Sequence, residues 1–203
     1  MLTRRSLLAG TAAAAALAAL PAHAAPLSLG QLSQYLNGLT TARAQFTQIN
    51  NDGTIATGTL YIHRPGRMRF DYDPPEQQLV MAGGGQVAIF DAKSNSKRPE
   101  QYPLSETPLS IILERNVNLG QAGMVKSHRQ DGNKTIVTAQ DPRRPQYGSL
   151  EMVFTGDPVQ LRQWVVIDGQ GNRTTTALGE LQRVGSLPAA YFSIPTEITS
   201  RGG

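Results

Sequence analysis

The segment from Gly58 to Tyr72, GTLYIHRPGRMRFDY, constrains the fold more than any other part of the sequence. It reads as two short strands joined at Pro65-Gly66, and residues two apart in a strand share a face. Arg64 therefore ends the apolar row formed by Leu60 and Ile62. An apolar face ending in a permanently charged guanidinium is unusual, and it indicates a lined cavity with a polar closure. The alternative is a charged strand end that reaches back to water.

The second strand of this pair alternates between an apolar and a charged face. The apolar face is formed by Met68, Phe70 and Tyr72, and the other by Arg67, Arg69 and Asp71. We interpret Arg67 and Arg69 as the solvent face of the strand rather than as an anion-binding site.

Short alternating segments separated by turn residues continue through most of the chain. The sequence predicts strands at 44–49, 54–63, 67–72, 77–81, 86–90, 124–129, 134–139, 150–154, 160–167 and 173–178. The polar segment 91–103 reads as a loop. Strands this short, with turns at regular spacing, are typical of an antiparallel barrel or a strongly curved sheet.

Two helices are predicted. The first runs from Ser28 to Leu39 with Ser28 as its N-cap, and its leucines recur at helical spacing. The second begins with Thr107 as N-cap and Pro108 at the first helical position, and it ends before Asn116–Gly120. Its apolar face carries Leu109, Ile112 and Leu113. Two helices are too few to cover both faces of a sheet, so we expect them to plug or cover one face.

Residues 1–24 read as a signal peptide, which leaves 25–203 as a single predicted domain. Arg4 and Arg5 precede the apolar, alanine-rich Leu7–Leu20, and Ala22-His23-Ala24 forms a cleavage site. The paired arginines fit either the general secretory (Sec) route or the twin-arginine (Tat) route. Either route predicts export, most simply to a bacterial periplasm.

Composition excludes several classes of function. With no cysteine, the chain can form no disulfide, thiolate metal site or cysteine nucleophile, and it has no cysteine on which a lipid anchor could be placed. Its basic excess, 19 Lys and Arg against 15 Asp and Glu, is mild and argues against nucleic acid as a partner.

No motif points to catalysis. His63 and His128 are the histidines of the predicted mature chain, and neither has metal-ligand spacing. No G-x-S-x-G nucleophile motif occurs. A carboxylate pair assembled in space remains an open alternative, but no motif suggests one. We therefore expect a protein that is not an enzyme and needs no cofactor.

An ordered set of short motifs resembles the LolA family of periplasmic lipoprotein carriers. The set covers most of the predicted mature chain: Phe46-Thr47-Gln48, Gly58-x-Leu60-x-x-x-Arg64-Pro65, then Phe70, Tyr72, Pro75 and Leu79-Val80, then Thr107-Pro108-Leu109, and finally Phe192-Ser193-Ile194-Pro195. The chain departs from the family at Ala82–Gly85, where S-D-G is common, and in carrying one tryptophan, Trp164. These departures concern the cavity shape and one hairpin.

The resemblance implies a fold and a site. The implied fold is mainly β with α: an incomplete antiparallel β-barrel covered by a helical lid, with an apolar cavity for acyl chains between them. Arg64 matches the arginine that bonds to backbone groups of the lid and holds it shut, and Met68 and Phe70 match cavity positions. The expected cavity residues are Phe46, Leu60, Ile62, Met68, Phe70, Tyr72, Leu79, Leu109, Ile112, Leu113 and Trp164.

The resemblance also implies a function, the transfer of lipoproteins from the inner to the outer membrane. The expected partners are acylated lipoproteins, an inner-membrane lipoprotein-releasing ABC transporter and an outer-membrane lipoprotein acceptor, with the carrier itself a monomer. The alternative is a related periplasmic module that binds a lipid or glycolipid, or that senses lipoproteins. A third hypothesis is an enzyme acting on an apolar substrate.

Overall fold

The computed structural model describes residues 25–91, 93–94 and 98–202. The predicted signal peptide, 1–24, lies outside the described residues. Within the described part, the chain forms twelve strands: β1 (Thr41–Ile49), β2 (Ile55–His63), β3 (Arg67–Tyr72), β4 (Leu79–Gly83), β5 (Gln86–Phe90), β6 (Glu100–Pro103), β7 (Val125–Asp131), β8 (Lys134–Ala139), β9 (Ser149–Thr155), β10 (Gln160–Ile167), β11 (Arg173–Leu178) and β12 (Gln182–Arg183).

The helical elements of the same residues are short. They comprise α1 (Leu29–Gly38), α2 (Ser110–Leu113), α3 (Ile194–Ser200) and the 3₁₀ turns Leu104–Glu106, Pro145–Tyr147 and Ala189–Phe192.

All twelve strands belong to one antiparallel sheet. Its order is β6-β5-β4-β3-β2-β1-β11-β10-β9-β8-β7, and β12 pairs with β1. Paired strands are consecutive in sequence except at β1, which also pairs with β11 and β12. The β1–β11 pairing joins two meanders, β1 to β6 and β7 to β11, into one open, curved sheet. The predicted fold class, mainly β with a curved antiparallel sheet, is confirmed.

The main core lies on the concave face. Cross-strand register pairs Leu60 with Phe70 and Ile62 with Met68, and all four side chains are buried in one cluster. The facing that was predicted from residue parity in β2 and β3 is therefore confirmed. The cluster is closed from the other side by leucines and isoleucines of α1 and the residue after it, of α2 and of segment 117–119: Leu32, Leu36, Leu39, Ile111, Ile112, Leu113 and Leu119.

Helix α1 has the N-terminus that its sequence predicts. The Ser28 hydroxyl accepts a hydrogen bond from the backbone of Gln31, whose side chain in turn accepts one from the Ser28 N–H. Two further contacts fasten the helix. Ser33 Oγ accepts from Leu119 N at 3.0 Å, and Tyr35 Oη accepts from Leu161 N at 3.0 Å, beside an irregularity in β10.

The second helix is shorter than predicted. Thr107 follows the 3₁₀ turn Leu104–Glu106, and its hydroxyl accepts from Leu109 N at 3.1 Å. Successive turns with bonds between residues three apart then lead into α2, which begins only at Ser110 and ends at Leu113. The prediction of Thr107 as the helix N-cap is therefore wrong, because these tight turns occupy the first residues of the expected helix.

The sequence did not reveal β6 or α3. Strand β6, in the predicted loop 91–103, is a short edge strand of mostly polar residues, and it ends at Pro103, as edge strands allow. Helix α3 follows Ser193, whose hydroxyl accepts from Thr196 N at 3.3 Å, with Pro195 in its first turn. An N-cap serine followed by a proline in the first turn is typical of a helix start. Ser193 and Pro195 were assigned only to the family motif, so this helix was not predicted.

Helix α3 covers the convex face of β3 to β5, and this placement changes the role of Arg69. Arg69 is not on a solvent face, since its side chain is only 12% exposed. Its guanidinium pairs with Asp71 at 2.8 Å and Glu197 at 3.1 Å, donates to Tyr191 O at 3.2 Å, and lies 4.4 Å from the centre of the Tyr191 ring. The solvent-face prediction for Arg69 is wrong because α3 and the preceding turn cover it.

The anchoring of α3 should depend on pH. Burial acts to raise the pKa of the Glu197 carboxyl, but hydrogen bonds from Arg201 and Arg69 outweigh burial and hold that pKa below its usual range. A carboxyl with a depressed folded-state pKa contributes stability above its unfolded pKa, and the contribution is lost as the pH falls through the folded value.

We expect Glu197→Gln to lower the free energy of unfolding by about 1–3 kcal/mol at pH 7. The difference from wild type should shrink as the pH falls below about 4. Denaturant unfolding at a series of pH values measures this, with Glu180→Gln, an exposed glutamate, as control. A difference that persists unchanged at low pH would contradict the assignment.

Candidate functional site

Arg64 joins the two helical segments that cover the concave face. It follows the last residue of β2, and the whole residue is 9% exposed. Nη1 donates to the backbone oxygen of Leu36 in α1, and Nη2 donates to the backbone oxygen of Glu114, just after α2. Nη2 also contacts Asn37 Oδ1 at 3.1 Å and Arg115 O at 3.5 Å. One side chain therefore binds the ends of both helices.

The turn that carries Arg64 adds backbone contacts to the same junction. Arg64 N donates to Thr40 O at 2.8 Å, and Gly66 N donates to Leu113 O at 2.8 Å. Gly66 has φ +71°, a conformation that favours glycine. The carbonyls of Leu113, Glu114 and Arg115, which the end of a helix leaves unpaired, are thus satisfied by this turn. This explains why α2 ends at Leu113.

Asn37 completes the junction from the α1 side. Its amide nitrogen donates to Val117 O and its amide oxygen accepts from Val117 N, each at 2.9 Å. Because the same oxygen contacts Arg64, the end of α1, the chain after α2 and the β2–β3 turn share one hydrogen-bond network.

The guanidinium of Arg64 is held by neutral groups. Among the described residues, no carboxylate lies within 4.0 Å of it, and its Nε is buried without a hydrogen-bond partner. Burial lowers the pKa of Arg64 from its ordinary value. A charge-assisted hydrogen bond to a carbonyl contributes roughly 1.5–3 kcal/mol, so this junction is firm but can be broken.

An open cavity of about 660 Å³ lies on the concave face at the end of the sheet opposite Arg64. Four of the predicted cavity residues line it: Phe70, Tyr72, Leu109 and Trp164. Val80 and Val166 extend the apolar wall. Neither was predicted to line the cavity, although both are apolar residues of predicted strands. The volume is in the range of pockets that bind small molecules.

A second, much smaller space of about 50 Å³ lies beneath Leu104–Leu113. Met68 and Leu113 line it, together with Phe70 and Leu109, which both spaces share. The remaining concave-face predictions, Phe46, Leu60, Ile62 and Ile112, are buried in the main core and line neither space. Much of the predicted acyl-chain cavity is therefore filled by the protein's own side chains in this structure.

Leu79 does not belong to the concave face. It lies across from Asp71 in β3 and Phe90 in β5, and it packs with Ile194 of α3 in a separate cluster. The prediction that Leu79 lines the cavity is wrong, because Leu79 faces the convex side, where the helix that covers it was not predicted. Its neighbour Val80 faces the open cavity instead.

Aromatic rings separate the filled core from the open cavity. Phe46 meets Phe70 and Tyr72 edge to face, with ring centroids 5.2 and 5.1 Å apart, and Phe70 meets Trp164 at 6.2 Å. Gly58 makes this cluster possible. A Cβ there would lie 2.8 Å from Phe46 Cε1 and would also overlap the backbone oxygen of Asp71.

We expect Gly58→Ala to lower the free energy of unfolding by about 1–3 kcal/mol, because the Phe46 ring and the β3 backbone must move. Gly185→Ala, where nothing lies within 4 Å of the added carbon, is the control. Denaturant unfolding of both variants measures the difference. Equal stability of the two would show that the ring does not depend on Gly58.

One wall of the open cavity is polar, a feature that the sequence did not reveal. Gln48 and Asn50 line it from β1 and the turn that follows. Tyr72 Oη donates to Gln48 Oε1 at 2.9 Å, and burial raises the pKa of Tyr72 to about 12. Its hydroxyl therefore stays protonated at physiological pH.

Metal ligation and membrane insertion are two further kinds of interaction that side chains and helices can support. In the described ranges, no three or more His, Asp or Glu side chains come together where they could hold a metal ion. Across the same ranges, no helix has the length and apolar character needed to cross a membrane.

Comparison with known proteins identifies a family and several relatives. The family described as "Outer membrane lipoprotein carrier protein LolA" matches residues 37–195. A Chromobacterium violaceum protein named outer-membrane lipoprotein carrier protein is 27% identical over 191 residues, which is 89% of each chain. One of the same name from Azotobacter vinelandii is 26% identical, covering 88% of this chain and 89% of its own length. A solved LolA superfamily protein from Nitrosomonas europaea has a TM-score of 0.45 at 7% identity, covering 82% of this chain and 98% of its own.

Proposed function

The chain belongs to the LolA family of outer membrane lipoprotein carrier proteins, and we propose that it binds the acyl chains of lipoproteins on the concave face of its sheet. The observation that supports this best is the open cavity of about 660 Å³ with an aromatic and aliphatic inner wall. That wall continues beneath a helical cover fastened by Arg64.

A carrier must bind its cargo less tightly than complete burial of the acyl chains would allow. Each buried methylene contributes roughly 0.8 kcal/mol, so three chains of about sixteen carbons could contribute roughly 35–40 kcal/mol. Release would then be too slow for transport. In this structure the space beneath Leu104–Leu113 is almost filled by Met68, Phe70 and Leu113. Entering chains must displace this packing, and its lost free energy offsets part of the gain.

We infer that Arg64 favours the closed form, as a latch on the helical cover. Opening would separate its guanidinium from the carbonyls of Leu36 and Glu114 and return these groups to water. Because those partners are neutral, the loss on opening is modest compared with the apolar gain from entering acyl chains. Cargo can therefore open the cover, and reclosure helps to expel it.

Transport between two membranes also requires export and two partners. Residues 1–24 would direct export by the Sec or Tat route, and residues 25–203 would work as one monomeric domain in the periplasm. Cargo would arrive from an inner-membrane lipoprotein-releasing ABC transporter and leave to an outer-membrane acceptor. The role is carriage rather than catalysis.

Trp164 provides a direct test of acyl-chain binding. It is the single tryptophan of the chain and lines the open cavity, so its fluorescence reports on that space. Delipidated protein should show a saturable change with a triacylated lipopeptide and none with the same peptide without acyl chains. No change with the acylated peptide, or equal changes with both, would contradict the proposal.

Arg64→Leu should leave the fold intact but slow cargo release roughly ten- to hundredfold. The substitution removes the bonds that favour closure, so the open, loaded form gains relative stability. Transfer of a bound lipopeptide to acceptor vesicles, followed by Trp164 fluorescence, measures the rate. Arg67→Leu, which removes a single 3.3 Å bond to His63 O, is the control. Normal release by Arg64→Leu would show that Arg64 is no latch.

Leu109→Glu should weaken binding of the triacylated lipopeptide at least about tenfold at pH 7, because acyl chains would have to pack against a carboxylate. Leu109 suits this test because it lines both spaces and is only partly buried. Ile49→Glu changes an isoleucine that is already 44% exposed and should leave binding unchanged. Equal affinities of the two variants would place the acyl chains elsewhere.

A further inference from the structure

A row of hydrogen bonds runs along one wall of the open cavity toward its mouth. Tyr72 Oη donates to Gln48 Oε1 at 2.9 Å, and Gln48 Nε2 donates to Asn50 Oδ1 at 2.7 Å. Asn50 Nδ2 donates to Thr54 Oγ1 at 2.9 Å, and Thr54 Oγ1 donates to Asp52 Oδ1 at 2.7 Å. All five residues line the cavity; we call them the polar row.

The polar row has a fixed direction. Each member donates to the next, and the last acceptor is the carboxylate of Asp52. Hydrogen bonds from the Thr54 side chain and backbone lower the pKa of Asp52, so this end of the row stays ionised. The side chains are thereby oriented before any ligand arrives.

Two members of the row retain a donor. A side-chain amide nitrogen carries two hydrogens, and the bonds described here use one each from Gln48 and Asn50. Thr176, directly across from Gln48 on β11, also faces this cavity. The wall can therefore donate to a carbonyl oxygen of a ligand without breaking its own bonds.

The position of the row shows which part of a ligand it would meet. Gln48 lies one strand repeat from Phe46, toward the mouth, and across from Thr176, which in turn pairs with Trp164. Hydrocarbon packed on Phe70 and Trp164 would place its polar head beside Gln48.

The groups that bond to Gln48 or lie across from it, on Tyr72, Asn50 and Thr176, are uncharged, so a neutral carbonyl suits them better than a phosphate does. Among the described residues, the charged ones that line the cavity are Asp52, whose carboxylate would repel a phosphate, and Glu76 and Lys93, which pair with each other at 2.6 Å.

We propose that the polar row binds the ester and amide carbonyls that join acyl chains to a lipoprotein's N-terminal glyceryl-cysteine. This subsite rests on the proposed acyl-chain carriage and adds to it a means of setting how deep the chains enter. Its ligand class is a fatty acyl ester or amide rather than hydrocarbon alone.

The test compares two lipopeptide probes that differ only in the linkage. One carries two palmitoyl chains in ester linkage to glyceryl-cysteine, and the other carries two hexadecyl chains in ether linkage. Wild type should bind the ester probe about 3–10-fold more tightly, the usual range for a hydrogen bond, by Trp164 fluorescence titration. Gln48→Leu should abolish this preference.

Gln45→Leu is the matched control. It makes the same change on the same strand, but on the opposite, exposed face, and it should keep the preference for the ester. Tyr72→Phe retains the ring and should reduce the preference, which provides a second variant if Gln48→Leu folds poorly. Because the readout is a ratio of two affinities, a general loss of stability affects both probes alike.

The outcomes separate the subsite from the proposed function. Wild type without a preference for the ester, or Gln48→Leu with the wild-type preference, would overturn the subsite. Failure of wild type to bind either probe would overturn acyl-chain carriage itself, and the subsite with it.

Discussion

The contacts of Arg64 join three parts of the chain at one point: the end of α1, the segment after α2 and the β2–β3 turn. Its guanidinium binds the carbonyls of Leu36 and Glu114, and Asn37 links the same point to Val117. Both helical segments that cover the concave core are therefore fastened at this junction.

The cover closes on an interior with two different ends. Near Arg64 the concave face is packed solid, whereas beyond the aromatic rings of Phe46, Phe70 and Trp164 it opens into the large cavity. A rigid, fully open hydrocarbon pocket would retain acyl chains, and a fully packed core would refuse them. A partly filled interior beneath a breakable cover lies between these limits, as reversible carriage requires.

Sequence reasoning captured what depends on local pattern. Parity in β2 and β3 gave the correct facing of the apolar rows, and Ser28 gave the start of α1. It missed what depends on tertiary contacts. The convex face of β3 is charged and reads like a solvent face, so its local pattern did not show that α3 would bury Arg69. Strand β4 is apolar on both faces, which was a local sign that its convex face is also covered, but Leu79 was assigned to the cavity instead. Likewise α2 ends where the β2–β3 turn meets it: Gly66 N binds Leu113 O, and Arg64 binds the next carbonyl, Glu114 O, across 50 residues.

We expect the acyl chains of lipoproteins to occupy the concave face of the sheet. Native mass spectrometry of the protein purified from the periplasm of its own cells tests this most directly. We expect a population whose added mass corresponds to a triacylated protein and disappears after delipidation. Protein that carries only free glycolipid or phospholipid, or no lipid at all in cells making lipoproteins, would contradict it.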